Sequence, residues 1–324
     1  TISGTSSTAT FSLDGAKYVR FDGRQGGIGT PKSLTITTTS TGVTINIVND
    51  AQNNIINYCN IKGQRASSFS GTIFIGAAST GTGNDNNTLS NNTITSSTTV
   101  PTNAIYSAGT STAIDNSGIS ISNNNIQDYY NAASASNGIL VASNSSAWTI
   151  TGNKFFQTAT RTATAGNTHR AINIITASGV GYTVSNNIIG YSSSLATGTT
   201  TYAGSFANRF IGIEITAGTA SASSVQGNSI TAISLASTSG ATTAPGIFAG
   251  ISILAGSVNI GTTSGNTIGA TTGTGSIAIV NTTTAASIYI AGIYATSTGT
   301  VSIQNNNIGS ISMGSTASIQ YNFF

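Results

Sequence analysis

A six-residue frame recurs along the chain and limits its possible folds more than any other feature. The frame is an apolar residue, two polar residues, an asparagine, any residue and a second apolar residue, as in Ile303 to Ile308. Its asparagine position returns at intervals of roughly 30 to 40 residues, which is typical of a solenoid whose stacked coils share one core. In successive copies this position holds Cys59, Asn92, Asn124, Asn153, Asn187, Asn228, Asn266 and Asn306.

Two further short segments accompany the frame in most copies. An apolar-x-apolar segment, such as Gly212 to Ile215, precedes it, and a third segment, such as Ile230 to Ile233, follows it. β-branched residues dominate, and no helical periodicity is sustained. The pattern predicts an all-β fold, a right-handed parallel β-helix with three short strands per coil and about eight coils.

The N-terminal part of the chain differs in composition from the rest. It holds nine of the seventeen charged residues, and Phe11 to Gly15 and Tyr18 to Gly23 look like short strands that end in Asp-Gly turns. We predict irregular N-terminal coils over residues 1–65 and regular repeats over residues 66–324. Because Ile319 to Phe324 resembles the start of another unit, we expect the solenoid to continue beyond it.

The frame asparagine falls at the bend between the second and third strands of a coil. Asparagine tolerates the left-handed backbone that such a bend requires. If coils stack about 4.8 Å apart, each amide can donate to the asparagine on one side and accept from the one on the other. We therefore predict an internal asparagine ladder. Cys59 would begin it as a small buried residue, the alternative being a reactive thiol.

Composition excludes several classes of protein. Charged residues are only 5% of the chain, but 38% of residues are hydrophobic, so a core can form and disorder is not expected. The net charge of +3 comes without any Lys/Arg cluster, which weighs against nucleic-acid binding. One cysteine permits no internal disulfide, and no apolar run approaches the roughly 18 residues of a membrane span. The first residues also lack the pattern of a signal peptide.

Several short segments together carry a family resemblance. They are Tyr18 to Arg24, Leu34 to Ile36, Asn60 to Gly63, Gly83 to Thr88, Pro101 to Tyr106, Trp148 to Asn153 and Ser223 to Asn228. These segments resemble the β-helical repeat regions of very large secreted surface proteins of Bacteroidota. The resemblance implies export by the type IX secretion system, a cell-surface or extracellular location, and a gliding or adhesin-like context.

Catalysis would require side chains that the sequence does not group. Carbohydrate-active enzymes also use β-helices, and glycoside hydrolysis needs two carboxyl groups about 5–9.5 Å apart. Asp115 and Asp128 flank one repeat, but they fall at opposite ends of its asparagine-motif strand. His169 has no second histidine or cysteine partner for a metal. We predict no catalytic site, no metal and no cofactor.

The outward positions of the first strand suggest possible surface contacts. Phe74, Tyr106 and Leu140 would form an apolar column, covered either by the chain's own loops or by a neighbouring subunit or sugar polymer. Glu214 could pair with a basic residue of an adjacent repeat in a surface ion pair, or form a small polar ligand-binding spot. The predicted contact residues are Phe74, Tyr106, Leu140, Arg170, Arg209 and Glu214.

A flat, ice-binding threonine array is a further alternative. The threonine-rich stretches Thr35 to Thr41 and Thr282 to Thr284 lie in turns or single coils, which weighs against it.

Taken together, these features predict a non-enzymatic structural protein of the cell surface or extracellular space. It would act as an adhesin stalk, a spacer, or a building block of a filament or surface layer. Expected partners are neighbouring copies, further domains of the same chain, or surface polysaccharide, without nucleic acid or membrane insertion. The alternative is a carbohydrate-binding or carbohydrate-cleaving β-helix of the pectate-lyase kind.

Overall fold

The chain folds into long parallel sheets whose strands come from successive turns of the backbone. The computed structural model describes residues 1–240, 245–282, 287–315 and 320–323. The strands of each sheet pair in parallel, and the chain visits the three longest sheets in the same order again and again. This topology is that of a parallel β-helix, so the predicted fold class is confirmed. Ile319 and Phe324 lie outside the described residues.

Sheet I contains the apolar-x-apolar segments and has ten strands. In order they are Ala9–Asp14, Val43–Val48, Ile73–Ile75, Asn103–Ala108, Ser136–Ser143, Thr168–Ile175, Arg209–Thr216, Phe248–Ala255, Ser287–Ala295 and Gln320–Phe323. Sheet II holds the first half of each asparagine frame and has nine strands. They are Arg20–Asp22, Ile55–Asn57, Thr88–Ser90, Ser120–Ser122, Thr149–Thr151, Thr183–Ser185, Ser223–Gln226, Val258–Ile260 and Val301–Ile303.

Sheet III follows the asparagine and has ten strands. They are Ile2–Gly4, Leu34–Thr38, Cys59–Gly63, Thr93–Ser96, Asn125–Gln127, Lys154–Phe156, Ile188–Gly190, Ser229–Thr231, Thr267–Gly269 and Asn307–Gly309. Sheet IV adds five strands in the later coils: Arg161–Thr162, Thr200–Ala203, Ile233–Ser237, Ile277–Asn281 and Ile311–Ser315. Asn116–Ser117 pairs with Ser145–Ser146, and Gln25–Gly27 is a short 3₁₀ turn. Strands from residues 1–65 join the same three long sheets as the later strands.

The core consists of like residues stacked from coil to coil. Along sheet I, one inward column holds isoleucine in eight successive strands, and those from Ile45 to Ile251 are fully buried. Full burial of one such side chain stabilises the fold by about 1.5–3 kcal/mol. The members are Ile45, Ile73, Ile105, Ile139, Ile172, Ile213, Ile251 and Ile293. The column makes one continuous core that includes the charge-rich first coils.

The third segment of the later repeats is divided between two sheets. The stretch Ile230 to Ile233 looks like one strand in sequence, but Ser229–Thr231 lies in sheet III and Ile233–Ser237 in sheet IV. Ala232 between them has φ 51°. A left-handed residue interrupts extended backbone, so the chain turns there and begins a separate strand.

Close stacking of the coils makes one glycine of sheet III hard to replace. Gly190 has φ 117°, and a Cβ there would lie 1.7 Å from the Thr231 carbonyl oxygen of the next coil. We expect Gly190→Ala to lower the free energy of unfolding by roughly 3 kcal/mol through strain and overpacking. Urea unfolding measures the loss.

Gly273 provides the matched control for that substitution. It also has a positive φ, 80°, but nothing lies within 4 Å of a Cβ there. Gly273→Ala should therefore cost only the backbone strain, about 1–2 kcal/mol. Equal losses in the two variants would contradict the close approach of Gly190 to the next coil.

Candidate functional site

The predicted ladder asparagines form one internal column between sheets II and III. The Nδ2 group of Asn124 donates to Asn153 Oδ1 (3.0 Å) and to the Leu89 carbonyl (2.8 Å), and its backbone N–H donates to the same Oδ1 (3.0 Å). Asn124 Oδ1 accepts from the backbone N–H and the Nδ2 of Asn92 (2.8 and 3.1 Å). Because both amide hydrogens and both lone pairs are used, the side chain is buried without an unpaired polar atom.

The same set of bonds repeats along the column. Each asparagine from Asn92 to Asn266 donates to the next Oδ1 along the chain, and all are at most 1% exposed. Asn306, the last member, is half-buried and accepts from Asn266. The prediction of buried asparagine hydrogen bonding is therefore confirmed.

The left-handed residue at this bend is not the ladder asparagine, contrary to the sequence-based expectation. It is the residue just before, with φ between 53° and 66° in seven copies. A left-handed turn at that point directs the following side chain inward, while its own side chain stays outside. The frame predicts this arrangement in retrospect, because six of these seven positions hold asparagine or glycine, the residues that tolerate positive φ, and the first holds tyrosine. The seven residues are Tyr58, Asn91, Asn123, Gly152, Asn186, Gly227 and Asn305.

Cys59 has the properties of a structural residue. It is fully buried, and its backbone N–H donates to Asn92 Oδ1 (2.9 Å), so it occupies the first place of the column. Its thiol donates to the Asn57 carbonyl (3.3 Å). Burial, aided by the charge of Asp22, raises the pKa of the thiol to about 11. Since reactivity requires the thiolate, this environment opposes the reactive-thiol alternative.

A second set of buried asparagines, not predicted from the sequence, stabilises the bend between sheets I and II. Asn54 Nδ2 donates to Asn87 Oδ1 (2.9 Å), and Asn84 Nδ2 donates to Asn116 Oδ1 (3.0 Å). All four side chains are at most 1% exposed. The partners are 33 and 32 residues apart, the same step as in the main ladder, so a search at that spacing would have found them.

The predicted apolar column on the outer face of sheet I is formed in register. Phe74 lies beside Tyr106, and Tyr106 beside Leu140. Tyr106 and Leu140 are 5% and 7% exposed, whereas Phe74 is half-buried and stacks on Tyr106 with ring centroids 5.7 Å apart. Chain segments therefore already cover most of the column, and Phe74 is its accessible end.

Glu214 forms an ion pair, but in a covered place and not at an open surface. Arg170 Nε donates to Glu214 Oε1 at 2.6 Å, and the two side chains are 21% and 5% exposed. Arg209 donates from Nε to the Gly246 carbonyl (2.7 Å) instead, and burial, followed by the charge of Arg170, lowers its pKa. Of the two arginines among the predicted contact residues, Arg170 thus forms the ion pair with Glu214, and Arg209 bonds to the backbone.

The two residues that flank Glu214 in register have unpaired polar atoms. Asn173 lies on one side and Ser252 on the other. Both side chains are at least 95% buried, and neither Asn173 Oδ1 nor Ser252 Oγ has a hydrogen-bond partner among the described residues. Such atoms usually bond to an ordered water.

His169 is turned into the core, away from Glu214. It is 2% exposed, its Nδ1 lies 3.1 Å from Ser136 Oγ, and its ring centroid lies 3.8 Å from that of Tyr130. Burial, followed by the charge of Arg170, lowers the pKa of the imidazole to about 3. The ring is therefore neutral near pH 7. It belongs to an internal aromatic column that was not predicted: Tyr130, His169, Tyr202, Phe210 and Phe248.

The carboxyl groups that the sequence placed on one repeat have separate partners. Asp128 pairs with Arg161 and accepts from Thr158, whereas Asp115 accepts from Ser146. Burial raises the pKa of Asp115, and the charge of Asp85 raises it further. The neighbouring carboxylate that raises the pKa of Asp115 is thus that of Asp85 and not that of Asp128.

Hydroxyl side chains recur at the repeat period on the outer face of sheet II. The threonine-rich stretches of the sequence did not indicate this. Four successive strands of sheet II present two outward hydroxyls each, aligned from coil to coil. They are single residues separated by an apolar one, so they do not stand out as runs. Of the stretch from Thr282 to Thr284, Thr283 and Thr284 lie outside the described residues. The aligned residues are Thr88, Ser90, Ser120, Ser122, Thr149, Thr151, Thr183 and Ser185.

Comparison with known proteins returned no family model, no curated protein and no solved structure that matches the chain. Within the described residues, His, Cys, Asp and Glu side chains form no group of three or more that could hold a metal ion. The part of the chain that the structure covers also has no helix long and apolar enough to cross a membrane. The geometry of the coils is therefore the basis for a functional proposal.

Proposed function

We propose that the protein is a structural repeat protein of the cell surface or extracellular space. Its role is mechanical: an adhesin stalk, a spacer, or a building block of a filament or surface layer. The observation that carries the proposal is the unbroken amide column from Cys59 to Asn306, in which each member is hydrogen-bonded to the next.

The column supports a mechanical role because it ties each coil to its neighbours in one register. A shift of one residue would move buried side chains to the outside of a strand. It would also separate every Oδ1 from its two donors. Interstrand hydrogen bonds run along the solenoid axis, and each coil adds about 4.8 Å of length. A rod of this kind is stiff, and its length is set by the number of repeats.

The location and partners of the protein rest on its resemblance to secreted surface proteins of Bacteroidota. Export by the type IX system, a gliding or adhesin-like setting, and contact with further domains or neighbouring copies are proposed on that ground. The scarcity of charged side chains, 5% of the chain, fits a surface that neither repels copies of itself nor attracts nucleic acid.

Imaging tests this proposal directly. We expect negative-stain electron microscopy of the purified chain to show straight rods of uniform width. We also expect antibodies against it to label filaments or a layer on intact cells of the native source. Labelling that appears only after the cells are broken open would overturn the extracellular role.

Carbohydrate binding is the second candidate function. A groove beside the outer face of sheet I favours it, because aromatic, amide and guanidinium groups meet there. Cleavage of a polysaccharide has less support, since Asp115 and Asp128 have separate partners.

A further inference from the structure

A groove of about 320 Å³ opens beside the outer face of sheet I in the early coils. Its lining includes two aromatic side chains, Phe69 and Phe74, together with Arg65, Asn46 and Ser70. Phe69 is 77% exposed, and Phe74 is half-buried. A second depression of about 450 Å³ shares Arg65 with the first. The two depressions together form an extended surface on which a chain molecule could lie.

The loop that carries Phe69 is held on both sides by neighbouring coils. Arg65 Nη1 donates to the Thr41 carbonyl (2.6 Å) of the preceding coil. From the following coil, Asn103 Nδ2 donates to the carbonyls of Ser70 (2.7 Å) and Ser67 (3.2 Å). An exposed phenyl ring is thus presented on a fixed backbone. A ligand that contacts it would not have to order the loop, so little binding energy is lost.

The second aromatic side chain is also fixed in place. Phe74 stacks on Tyr106 with an interplanar angle of 9°, and Tyr106 is 5% exposed. The apolar C–H faces of a sugar ring pack against aromatic faces, while amide and hydroxyl groups bind the ring hydroxyls. Asn46 and Ser70 provide such polar groups in the groove. This combination fits a sugar better than a purely apolar ligand.

Arg65 gives the groove its charge. It is the one charged side chain among the lining residues of the groove. Its Nε is buried without a hydrogen-bond partner within the described part of the chain, its Nη1 donates to the Thr41 carbonyl, and no ion pair there neutralises the guanidinium. A guanidinium binds a carboxylate through two parallel N–H groups, and these bonds are stronger than those to neutral acceptors. The ligand with the complementary charge is an anion.

We propose that this groove binds an acidic polysaccharide, with sugar rings on Phe69 and Phe74 and a ring carboxylate at Arg65. A polymer fits better than a single sugar because both depressions adjoin the same arginine. The proposal is independent of the mechanical role, since a rod without a ligand would still form and a binding groove does not require a filament.

Binding of the full chain to defined polymers tests the proposal. We expect calorimetry to detect binding to at least one of polygalacturonate, alginate and hyaluronate, and none to neutral dextran. Phe69→Ala and Arg65→Gln should each weaken binding at least about tenfold, the loss expected for one anchoring contact. Arg65→Lys retains the charge but loses the planar pair of donors, so it should bind between Arg65→Gln and the unchanged protein.

Two control variants distinguish specific binding in the groove from non-specific binding through exposed aromatic side chains or net charge. Tyr18 is an aromatic residue of similar exposure, 79%, outside the groove lining, and Lys62 is an exposed cation outside it. Tyr18→Ala and Lys62→Gln should leave the affinity unchanged. Because Phe69 is exposed, its replacement leaves the fold intact, so a loss of binding cannot be ascribed to unfolding. Absence of binding to all three acidic polymers, equal binding to dextran, or equal weakening by the controls would overturn the proposal.

Discussion

Replacing Asn124 by alanine should lower the free energy of unfolding by about 3–6 kcal/mol, because each buried polar group that loses its partner costs roughly 1–3 kcal/mol. The substitution removes the acceptor of two Asn92 N–H groups and the donor to the Leu89 carbonyl. The backbone N–H of Asn92 and the Leu89 carbonyl then lose this partner, and Asn92 Nδ2 keeps only its bond to the Ile56 carbonyl. Unfolding in urea, followed by circular dichroism, measures the change as a shift of the midpoint.

The two neighbours of Asn124 are asparagines as well and provide matched controls. Asn123 is the exposed residue with φ 55°, and glycine occupies the equivalent place at Gly152. Asn125 points outward in sheet III, where Thr93 is its partner in the preceding coil. Asn123→Gly and Asn125→Thr should therefore change stability by no more than about 0.5 kcal/mol. Similar losses at all three positions would contradict a special role for the internal column.

Acid should destabilise the protein through His169, and His169→Phe should relieve the effect. The folded-state pKa of about 3 lies below the ordinary value of 6.5. Below pH 6.5 the unfolded chain binds a proton that the folded chain does not. The stability that this histidine contributes is thus complete above pH 6.5 and is lost as the pH falls toward 3. At about pH 4.5 the loss amounts to about 3 kcal/mol.

Phenylalanine is the appropriate replacement because the register pairs His169 with Phe210, and Phe210 with Phe248. We expect His169→Phe to match the unchanged protein near neutral pH and to exceed its stability by about 3 kcal/mol at about pH 4.5. Urea unfolding at both pH values measures the difference. Asp22 and Asp50, whose pKa values are lowered by Arg24 and Lys17, destabilise both proteins equally in acid. Parallel pH curves for the two proteins would refute the assignment to His169.

The features predicted correctly from the sequence are those that repeat in one dimension. A column such as Asn92, Asn124 and Asn153 requires the same residue in each coil, because each side-chain amide hydrogen-bonds to the equivalent amide of the next coil. The β-helix and the inward asparagines follow from that period. The repeated apolar-x-apolar segment likewise predicted that Phe74, Tyr106 and Leu140 would be neighbours on successive coils.

The features that could not be predicted depend on which loops cover which coils. Glu214 looks like an exposed charge in sequence, and only the folded chain buries its ion pair with Arg170. His169 lies one residue from Arg170, and a single-residue step in a strand sends it to the opposite face. The groove at Phe69 depends on a loop that Asn103 of the following coil holds in place, and the repeat pattern does not indicate which loop is held in this way.

The direction of the amide column has a consequence for how such chains can change in length. From Asn92 to Asn266, each coil presents the same donor groups to the next coil and the same acceptor oxygen to the preceding one, although the number of residues in a coil varies. A coil is thus an interchangeable module: duplicating or deleting a whole one reconnects the column without a mismatch. The outer loops accommodate the differences in the number of residues per coil. Loops like the one that bears Phe69 can therefore vary without disturbing the register inside.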